Sequence, residues 1–177
     1  MPAVLKIDRP AAGEFAPYYG RYIDQVSYDD VMPLLETQNE ETQRRLGELS
    51  DSRAMHRYAT GKWSVKEVVQ HMIDVERVFS YRALRFARND SSELPGFDEN
   101  LWAPEAHADL RAFRDLLDEF AAVRRSSVTL YRSFEPDMLL RRGVASKNVM
   151  SVRALAWVIV GHEIHHLKGL RDHYGIG

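Results

Sequence analysis

Four long stretches of the chain carry hydrophobic residues at a spacing of three to four, which is the period of an amphipathic α-helix. They cover about residues 29–50, 64–88, 107–133 and 151–174. The polar segments between them, 89–106 and 134–150, contain the turn-forming residues typical of loops. No stretch shows the strict alternation of a half-buried strand. The pattern predicts an all-α four-helix bundle, with residues 1–177 forming one domain.

The second stretch has the clearest start signal. Ser64 and Glu67 have the spacing of a capping box, in which each side chain accepts the backbone N–H of the other residue. Trp63 and Val68 flank this pair as a hydrophobic staple. Residues 1–27, which are rich in aromatic residues and proline, are predicted to form an irregular arm packed on the bundle by its tyrosines.

The fourth predicted helix is apolar on two opposite faces. One face carries His162 and His166, and the other carries Trp157, Val160, Ile164 and Leu167. A helix that is apolar on both sides is buried on both sides. The second predicted helix has a similar outer set in Val69, Ile73 and Leu84. Two coverings remain open: a homodimer packed on the second and fourth helices, which we favour, or the N-terminal arm.

Polar residues interrupt two of the apolar stripes: Gln38, Asn39 and Thr42 in the first helix, and Arg124 in the third. Buried polar groups need hydrogen-bond partners, so the first three either bond within the core or line a cavity. Arg124 is either a surface residue whose stem covers apolar neighbours or an anion anchor for a substrate. All four are therefore candidate substrate-binding residues.

Composition narrows the classes of function. Of the 177 residues, 45% are hydrophobic and 28% are charged, and the net charge is −2, so no basic surface indicates a nucleic-acid partner. No apolar run reaches the ~18 residues of a membrane span, and the first residues lack the apolar core of a signal peptide. There is no cysteine, which excludes a thiolate ligand or a cysteine nucleophile and fits the cytoplasm.

The candidate chemistry lies in the stretch His162-Glu163-Ile164-His165-His166. Its first and last imidazoles are separated by about 6 Å of helical rise and about 40° of rotation, so they share a face. They are either hydrogen-bonded core residues or metal ligands. His71 reaches the same level if the second helix is an antiparallel neighbour. Three imidazoles with open positions are typical of a catalytic metal site. Glu67 and Asp74 either orient His71 or are solvated helix charges.

The same stretch also matches the zinc-peptidase pattern H-E-x-x-H-x-x-G-x-x-H, with Asp172 in place of the last histidine. In that interpretation Asp172 completes the zinc site and Glu163 activates the water. Only five residues follow Asp172, which leaves no room for the Met-turn, and no strand precedes the helix to seat a peptide. Glu163 is rotated about 100° from His162, toward the expected edge of the bundle. We therefore do not favour a peptidase.

Several segments resemble the DinB/YfiT-like superfamily. They are Gly61-Lys62-Trp63-Ser64-Val65-Lys66-Glu67 with its continuation to Arg88, Leu94-Pro95-Gly96-Phe97-Asp98-Glu99-Asn100, Gly161-His162-Glu163-Ile164-His165-His166-Leu167 and Tyr18-Tyr19-Gly20-Arg21-Tyr22-Ile23. The resemblance implies a four-helix bundle, commonly dimeric, that holds a nickel- or zinc-type divalent cation on three histidines. At the matching positions these are His71, His162 and His166.

Members of that superfamily include S-transferases and isomerases that use bacillithiol, mycothiol or glutathione, together with metal-dependent hydrolases. A cation lowers the pKa of a bound thiol or water, so neither enzyme needs a nucleophilic side chain. The resemblance implies a metal-dependent enzyme acting on a small molecule, and we favour S-transfer from a low-molecular-weight thiol to an electrophile. The alternatives are hydrolysis by metal-bound water and a bundle that binds metal or ligand without catalysis.

Overall fold

The computed structural model describes residues 5–176, so residues 1–4 of the predicted arm and residue 177 lie outside the described part of the chain. The helices are α1 (Gly20–Ile23), α2 (Met32–Leu46), α3 (Asp51–Ala54), α4 (Val65–Ala87), α5 (Glu99–Glu105), α6 (Phe113–Arg132) and α7 (Val152–Tyr174). The four long helices, α2, α4, α6 and α7, form the bundle. In it, α4 and α2 each pack on both α6 and α7. The predicted helical bundle is therefore present.

Local signals explain most of the helix boundaries. The capping box at Ser64 starts α4 as predicted, and Ser151 Oγ accepts the Ala154 N–H to cap α7. The third long helix begins later than predicted, at Phe113, because His107 has a left-handed backbone (φ 49°) that no α-helix can contain. Its first turn is capped from a distance, since the Phe113 N–H donates to Asp51 Oδ1 at 2.9 Å. Contacts of this kind leave no mark on the local sequence.

The predicted loop over 134–150 is only partly a loop, which corrects the expectation that the chain has no strands. Strands β1 (Arg142–Ala145) and β2 (Asn148–Ser151) pair as an antiparallel hairpin. Its two-residue turn, Ser146 and Lys147, has positive φ at both positions, as a type I′ turn requires. The usual Asn-Gly signal is absent and each strand has four residues, so the sequence pattern was too short to detect. Likewise α5 lies inside the predicted loop 89–106.

The N-terminal arm covers the second apolar face of α7. Trp157 is fully buried, and its indole N–H donates to the Ile7 carbonyl oxygen at 3.1 Å. A Cβ on Gly161 would lie 2.2 Å from the Tyr22 carbonyl oxygen, so only glycine admits the arm this close. Glu14 fastens the arm by accepting from Ser151 Oγ at 2.7 Å and by pairing with a guanidinium of α7.

The second apolar faces of the two helices are covered by the chain itself. The outer residues of α4, Val69 and Ile73, are also fully buried within the chain, and Leu84 is half-buried. The apolar faces that favoured a homodimer are thus satisfied by the chain's own residues. The homodimer stays a prediction, without the support of an uncovered face. No helix in the described part of the chain is both long enough and apolar enough to cross a membrane.

Candidate metal centre

Three imidazoles meet between α4 and α7. His71 comes from the first half of α4, and His162 and His166 come from the middle of α7. The Nε2 atom of His162 lies 3.0 Å from Nε2 of His71 and 3.0 Å from Nε2 of His166. All three residues offer nitrogen atoms within 4.8 Å of one another. The structure thus brings together the residues predicted as ligands, and their binding of a metal stays a prediction that this geometry supports.

The antiparallel packing of α4 and α7 produces this meeting. Tyr174 Oη at the end of α7 donates to the Trp63 carbonyl oxygen just before α4, at 2.8 Å. The end of one helix is therefore fixed beside the start of the other. His71 lies seven residues into α4, and α7 presents its two histidines one turn apart on the facing side. Each helix starts at its own local cap. The contact between Tyr174 and Trp63 helps to fix the position of one helix along the other.

The donor set fits a divalent cation better than it fits a hydrogen-bonded cluster. Each imidazole nitrogen has either one lone pair or one proton, so Nε2 of His162 cannot make an in-plane hydrogen bond to both neighbours. Metal bonds of about 2.0–2.1 Å to imidazole would place neighbouring nitrogens about 3.0–3.4 Å apart. The two closest separations, both 3.0 Å, fall at this value. A first-row cation could therefore be held by the three nitrogens with little rearrangement.

Burial keeps the three imidazoles in the state that binds metal. It lowers the pKa of His71 to about 4 and holds the pKa values of His162 and His166 well below the ordinary value. Neutral imidazoles therefore face one another at pH 7, and only a neutral imidazole has the lone pair that binds a metal. Aromatic rings close the surroundings, with Trp63 4.9 Å from the His71 ring and Tyr22 5.2 Å from the His162 ring.

Two cavities large enough to hold a molecule have imidazoles of the triad in their walls. The larger, of about 510 Å³, includes His166 in its wall, together with His165, Lys62 and Lys168. The smaller, of about 170 Å³, includes His71 and His162. Small-molecule sites range from about 300 to 1,000 Å³, so the larger cavity is the right size for a whole substrate or cosubstrate. Each cavity therefore has at least one imidazole of the triad in its wall.

The polar residues predicted to bind substrate are used differently. Arg124 is 2% exposed, and its guanidinium bonds Glu76 at 2.8 and 2.9 Å and Glu163 at 2.7 Å. It is thus neither a surface residue nor free to hold a substrate anion. Thr42 is fully buried and donates to the same Glu163 carboxylate. Neither residue lines the two cavities beside the triad.

Gln38 and Asn39 resemble cavity-lining residues in one respect: each has a buried polar atom without a partner among the described residues. Gln38 donates through Nε2 to the Val160 carbonyl oxygen at 3.2 Å, within the core. Its Oε1 atom and the Nδ2 atom of Asn39 are buried without a partner among the described residues. Neither residue lines either cavity beside the triad. The first helix therefore directs its polar stripe into the bundle, and substrate binding by these residues stays a prediction.

The structure also changes the interpretation of Glu163 and Asp172, the two residues that the peptidase pattern adds to the histidines. Glu163 does not lie at the bundle edge: it is 1% exposed and its carboxylate is held by Arg124 and Thr42. Since α2 and α6 both approach α7 there, a rotation of 100° from His162 still leads into the core. Asp172 is exposed and bonds Arg171 at 2.8 Å, outside the triad. His165 lies on the exposed rim, as expected.

The acidic residues beside His71 do not orient it. Glu67 accepts the Ser64 N–H at 2.8 Å in the capping box and pairs with Arg57. Asp74 accepts from Gln70 Nε2 at 2.9 Å. Their interpretation as helix charges is therefore the better one.

Several residues of the smaller cavity were not among those predicted from the sequence. Arg82 on α4 and Tyr19 and Tyr22 of the arm line it together with the two histidines. One signal was available, because Arg82 follows His71 by eleven residues and lies only about 20° from it on a helical wheel. The tyrosines gave no comparable signal, since their positions depend on how the arm folds over α7.

Comparisons with known proteins agree with this geometry. A family model described as the DinB superfamily matches residues 34–169. A protein of Oceanobacillus iheyensis named "putative metal-dependent hydrolase" is 29% identical over 161 residues, covering 84% of this chain and 87% of that protein. The structure of YfiT from Bacillus subtilis, described as a "probable metal-dependent hydrolase with an unusual four-helix bundle topology", matches with a TM-score of 0.69. That match covers 96% of this chain and 95% of YfiT at 16% identity, and it establishes the fold alone.

Proposed function

This chain belongs to the DinB superfamily, and we propose that it is a metal-dependent enzyme whose divalent cation is held by His71, His162 and His166. One observation carries the proposal: three neutral imidazoles converge at metal-ligand separations beside two cavities whose walls they share. Three protein ligands leave coordination positions open, as catalytic sites require. Zinc and nickel both suit an all-imidazole donor set.

Hydrolysis of a small molecule is the reaction we place first. It agrees with the names of the O. iheyensis relative and of YfiT. When bound, a divalent cation lowers the pKa of a water or thiol enough to supply a nucleophile at neutral pH. The chain's own part is to hold the imidazoles neutral and fixed. Trp63 and Tyr22 limit the access of bulk water to them by packing against the His71 and His162 rings.

Thiol S-transfer is the second candidate, and a different observation favours it. A transferase must bind two molecules, and the triad faces two cavities. The larger one has Lys62 and Lys168 in its wall, which suits an anionic low-molecular-weight thiol, and the chain has no cysteine of its own. His165 lies at the rim of that cavity, where it can accept a proton from the incoming group.

Elemental analysis of protein prepared without a histidine tag tests the metal site. Wild type should contain about one divalent cation per chain, and His71→Ala and His162→Ala should lose it because two imidazoles hold a cation far more weakly than three. Asp172→Ala is the matched control, because that residue lies on α7 outside the triad, and it should keep the metal. Retention in His71→Ala would overturn the site, and loss in Asp172→Ala would restore the peptidase interpretation.

The reaction is tested on the metal-loaded protein. Turnover of ester or amide substrates without added thiol supports hydrolysis. Thiol consumption with a chlorodinitrobenzene-type electrophile, lost on removal of the metal, supports S-transfer. Metal that raises thermal stability without any turnover and without binding an added ligand would indicate a closed structural site instead.

A further inference from the structure

One buried cation in the wall of the smaller cavity has no carboxylate partner in the described part of the chain. Arg82 on α4 is 2% exposed, and its Nη2 atom donates to the Pro95 carbonyl oxygen and to Ser146 Oγ, both at 3.1 Å. These contacts fix the guanidinium without neutralising it. Within residues 5–176, no carboxylate oxygen forms a salt bridge with it, whereas the equally buried Arg124 pairs with two carboxylates. Buried charges are normally paired, so the missing partner of Arg82 needs an explanation.

Arg82 faces the smaller cavity, which also reaches the candidate ligands. The cavity of about 170 Å³ is lined by Arg82, His71 and His162. The arginine follows His71 by eleven residues, about 16 Å along the helix axis, and helical side chains lean toward the N-terminus, which here is toward the histidine. An engineered cavity of about 150 Å³ holds benzene. This one therefore suits a molecule of about that size, with the guanidinium and the imidazoles both in the wall around it.

The walls between these two ends favour an aromatic or apolar body. They are formed largely by Tyr19, Tyr22, Val75, Phe79 and Phe97. The phenol hydroxyls of Tyr19 and Tyr22, which line the same cavity, are hydrogen-bond donors for an anion. A molecule with an apolar middle and one hydrogen-bond acceptor at the Arg82 end would match these surroundings.

The charges in the cavity indicate a single negative charge on the ligand. Glu99 lines the same cavity, so its wall carries one carboxylate besides the guanidinium. A phosphate dianion would meet repulsion from Glu99, whereas a carboxylate has one charge and the planar shape that pairs with a guanidinium. The surroundings therefore favour a carboxylate over a phosphate.

We propose that Arg82 is the anion anchor of this cavity and that the substrate is a small organic carboxylate. Its carboxylate pairs with the guanidinium, and the rest of the molecule extends past the tyrosines to His71 and His162. The reacting end of this arrangement rests on the proposed metal-dependent function. The anchoring end does not, because it needs only the guanidinium and the cavity.

Binding of 4-fluorobenzoate, followed by ¹⁹F NMR titration of the full chain, tests the anchor. The neutral isostere 4-fluorobenzamide should bind about tenfold more weakly or not at all, because it cannot form the charge-assisted pair. Arg82→Gln should weaken benzoate binding by about tenfold or more and leave the amide unchanged. The matched control is Arg88→Gln, an exposed arginine at the end of the same helix that should change neither affinity. Equal binding of acid and amide, or an unchanged affinity in Arg82→Gln, would overturn the proposal.

A second variant tests the same idea without disturbing the core. Glu99 is half-buried on the short helix α5, and Glu99→Gln removes the repulsive charge, so benzoate should bind about threefold more tightly or better. Glu105→Gln, on the exposed part of that helix, should have no effect. If Arg82→Gln fails to fold by circular dichroism, this pair decides, and an unchanged affinity in Glu99→Gln overturns the anchor.

Removing the metal separates the anchor from the catalytic proposal. Wild type dialysed against a chelator should still bind 4-fluorobenzoate with an affinity within about threefold, since the guanidinium pair is the stronger contact. Binding that persists there while no metal-dependent turnover exists would leave the anchor standing and the proposed function wrong. Binding that requires the metal and ignores Arg82→Gln would mean that the carboxylate sits on the cation, which overturns the anchor.

Discussion

Replacing Arg124 by methionine should be among the most destabilising substitutions in the protein. Its guanidinium joins Glu76 on α4 to Glu163 on α7, and all three side chains are at most 3% exposed. The change keeps an unbranched stem of similar length but removes three charge-assisted hydrogen bonds. It leaves two carboxylates buried without a cation. Because these bonds connect the helices that carry His71 and His162, the same change should weaken metal binding.

The expected magnitude follows from the burial of this network. Removing one partner of a buried ion pair costs about 3–5 kcal/mol, because the remaining charge has neither water nor a counterion. For a chain of this size each kcal/mol lowers Tm by about 2–4 °C, so the loss is about 6–20 °C. Urea unfolding followed by circular dichroism at 222 nm measures it, with an unchanged slope showing that the denatured state is unaffected.

Two further variants make the result interpretable. Arg125→Met removes the same charge from the next, exposed position of α6 and should change stability by less than about 0.5 kcal/mol. Adding Glu76→Gln to Arg124→Met removes one stranded carboxylate and should restore part of the lost stability, a non-additivity expected for residues in contact. A stability of Arg124→Met within about 1 kcal/mol of wild type, or simple addition of the effects of the two substitutions, would contradict this role of the ion pairs.

Three other results are expected. The Arg153 guanidinium lowers the pKa of Glu14 from 4.5 to about 2, so this carboxylate stabilises the fold above pH 4.5 and loses that effect as the pH falls toward 2. The stability gap between wild type and Glu14→Gln, about 2–3 kcal/mol at pH 7, should therefore narrow in urea titrations at pH 3, and an equal gap at both pH values would contradict the assignment. Gly161→Ala should destabilise by about 1–3 kcal/mol in thermal unfolding, because the new Cβ would lie 2.2 Å from the Tyr22 carbonyl oxygen; a gain in stability, as helix propensity alone would give, would show that the arm yields. Zinc or nickel at 100 times its Kd should stabilise wild type by about 2.7 kcal/mol and leave His71→Ala unchanged, whereas an equal rise in Tm in both would place the metal elsewhere.

Much of the bundle could be predicted because its signals are local. The capping box at Ser64, the apolar periodicity and the loop composition each depend on residues within one or two turns, and the long helices follow them. The two histidines of α7 could be placed on one face for the same reason. His71 could be proposed as their neighbour, with the resemblance supplying its identity as the third ligand.

Features that depend on contacts between residues far apart in the chain could not be predicted from the sequence. The late start of α6 depends on His107 and on Asp51, which caps it from 62 residues away. The turn of the hairpin, at Ser146 and Lys147, lacks the glycine that usually marks such a turn in a sequence. The interpretation of Arg124 as a surface residue or substrate anchor failed because neither of its carboxylate partners is near it in sequence.

In the stretch from His162 to His166, some features depend on local helix geometry and others depend on tertiary packing. Helix geometry alone determined that its two outer imidazoles share a face, because that geometry is set by hydrogen bonds four residues apart. Tertiary packing decided the rest. It brought Nε2 of His71 within 3.0 Å of Nε2 of His162, paired the Glu163 carboxylate with Arg124 inside the core, and packed the arm against Gly161. These contacts join residues far apart in the chain, such as Tyr22 and Gly161, and only the folded chain specifies which of them meet.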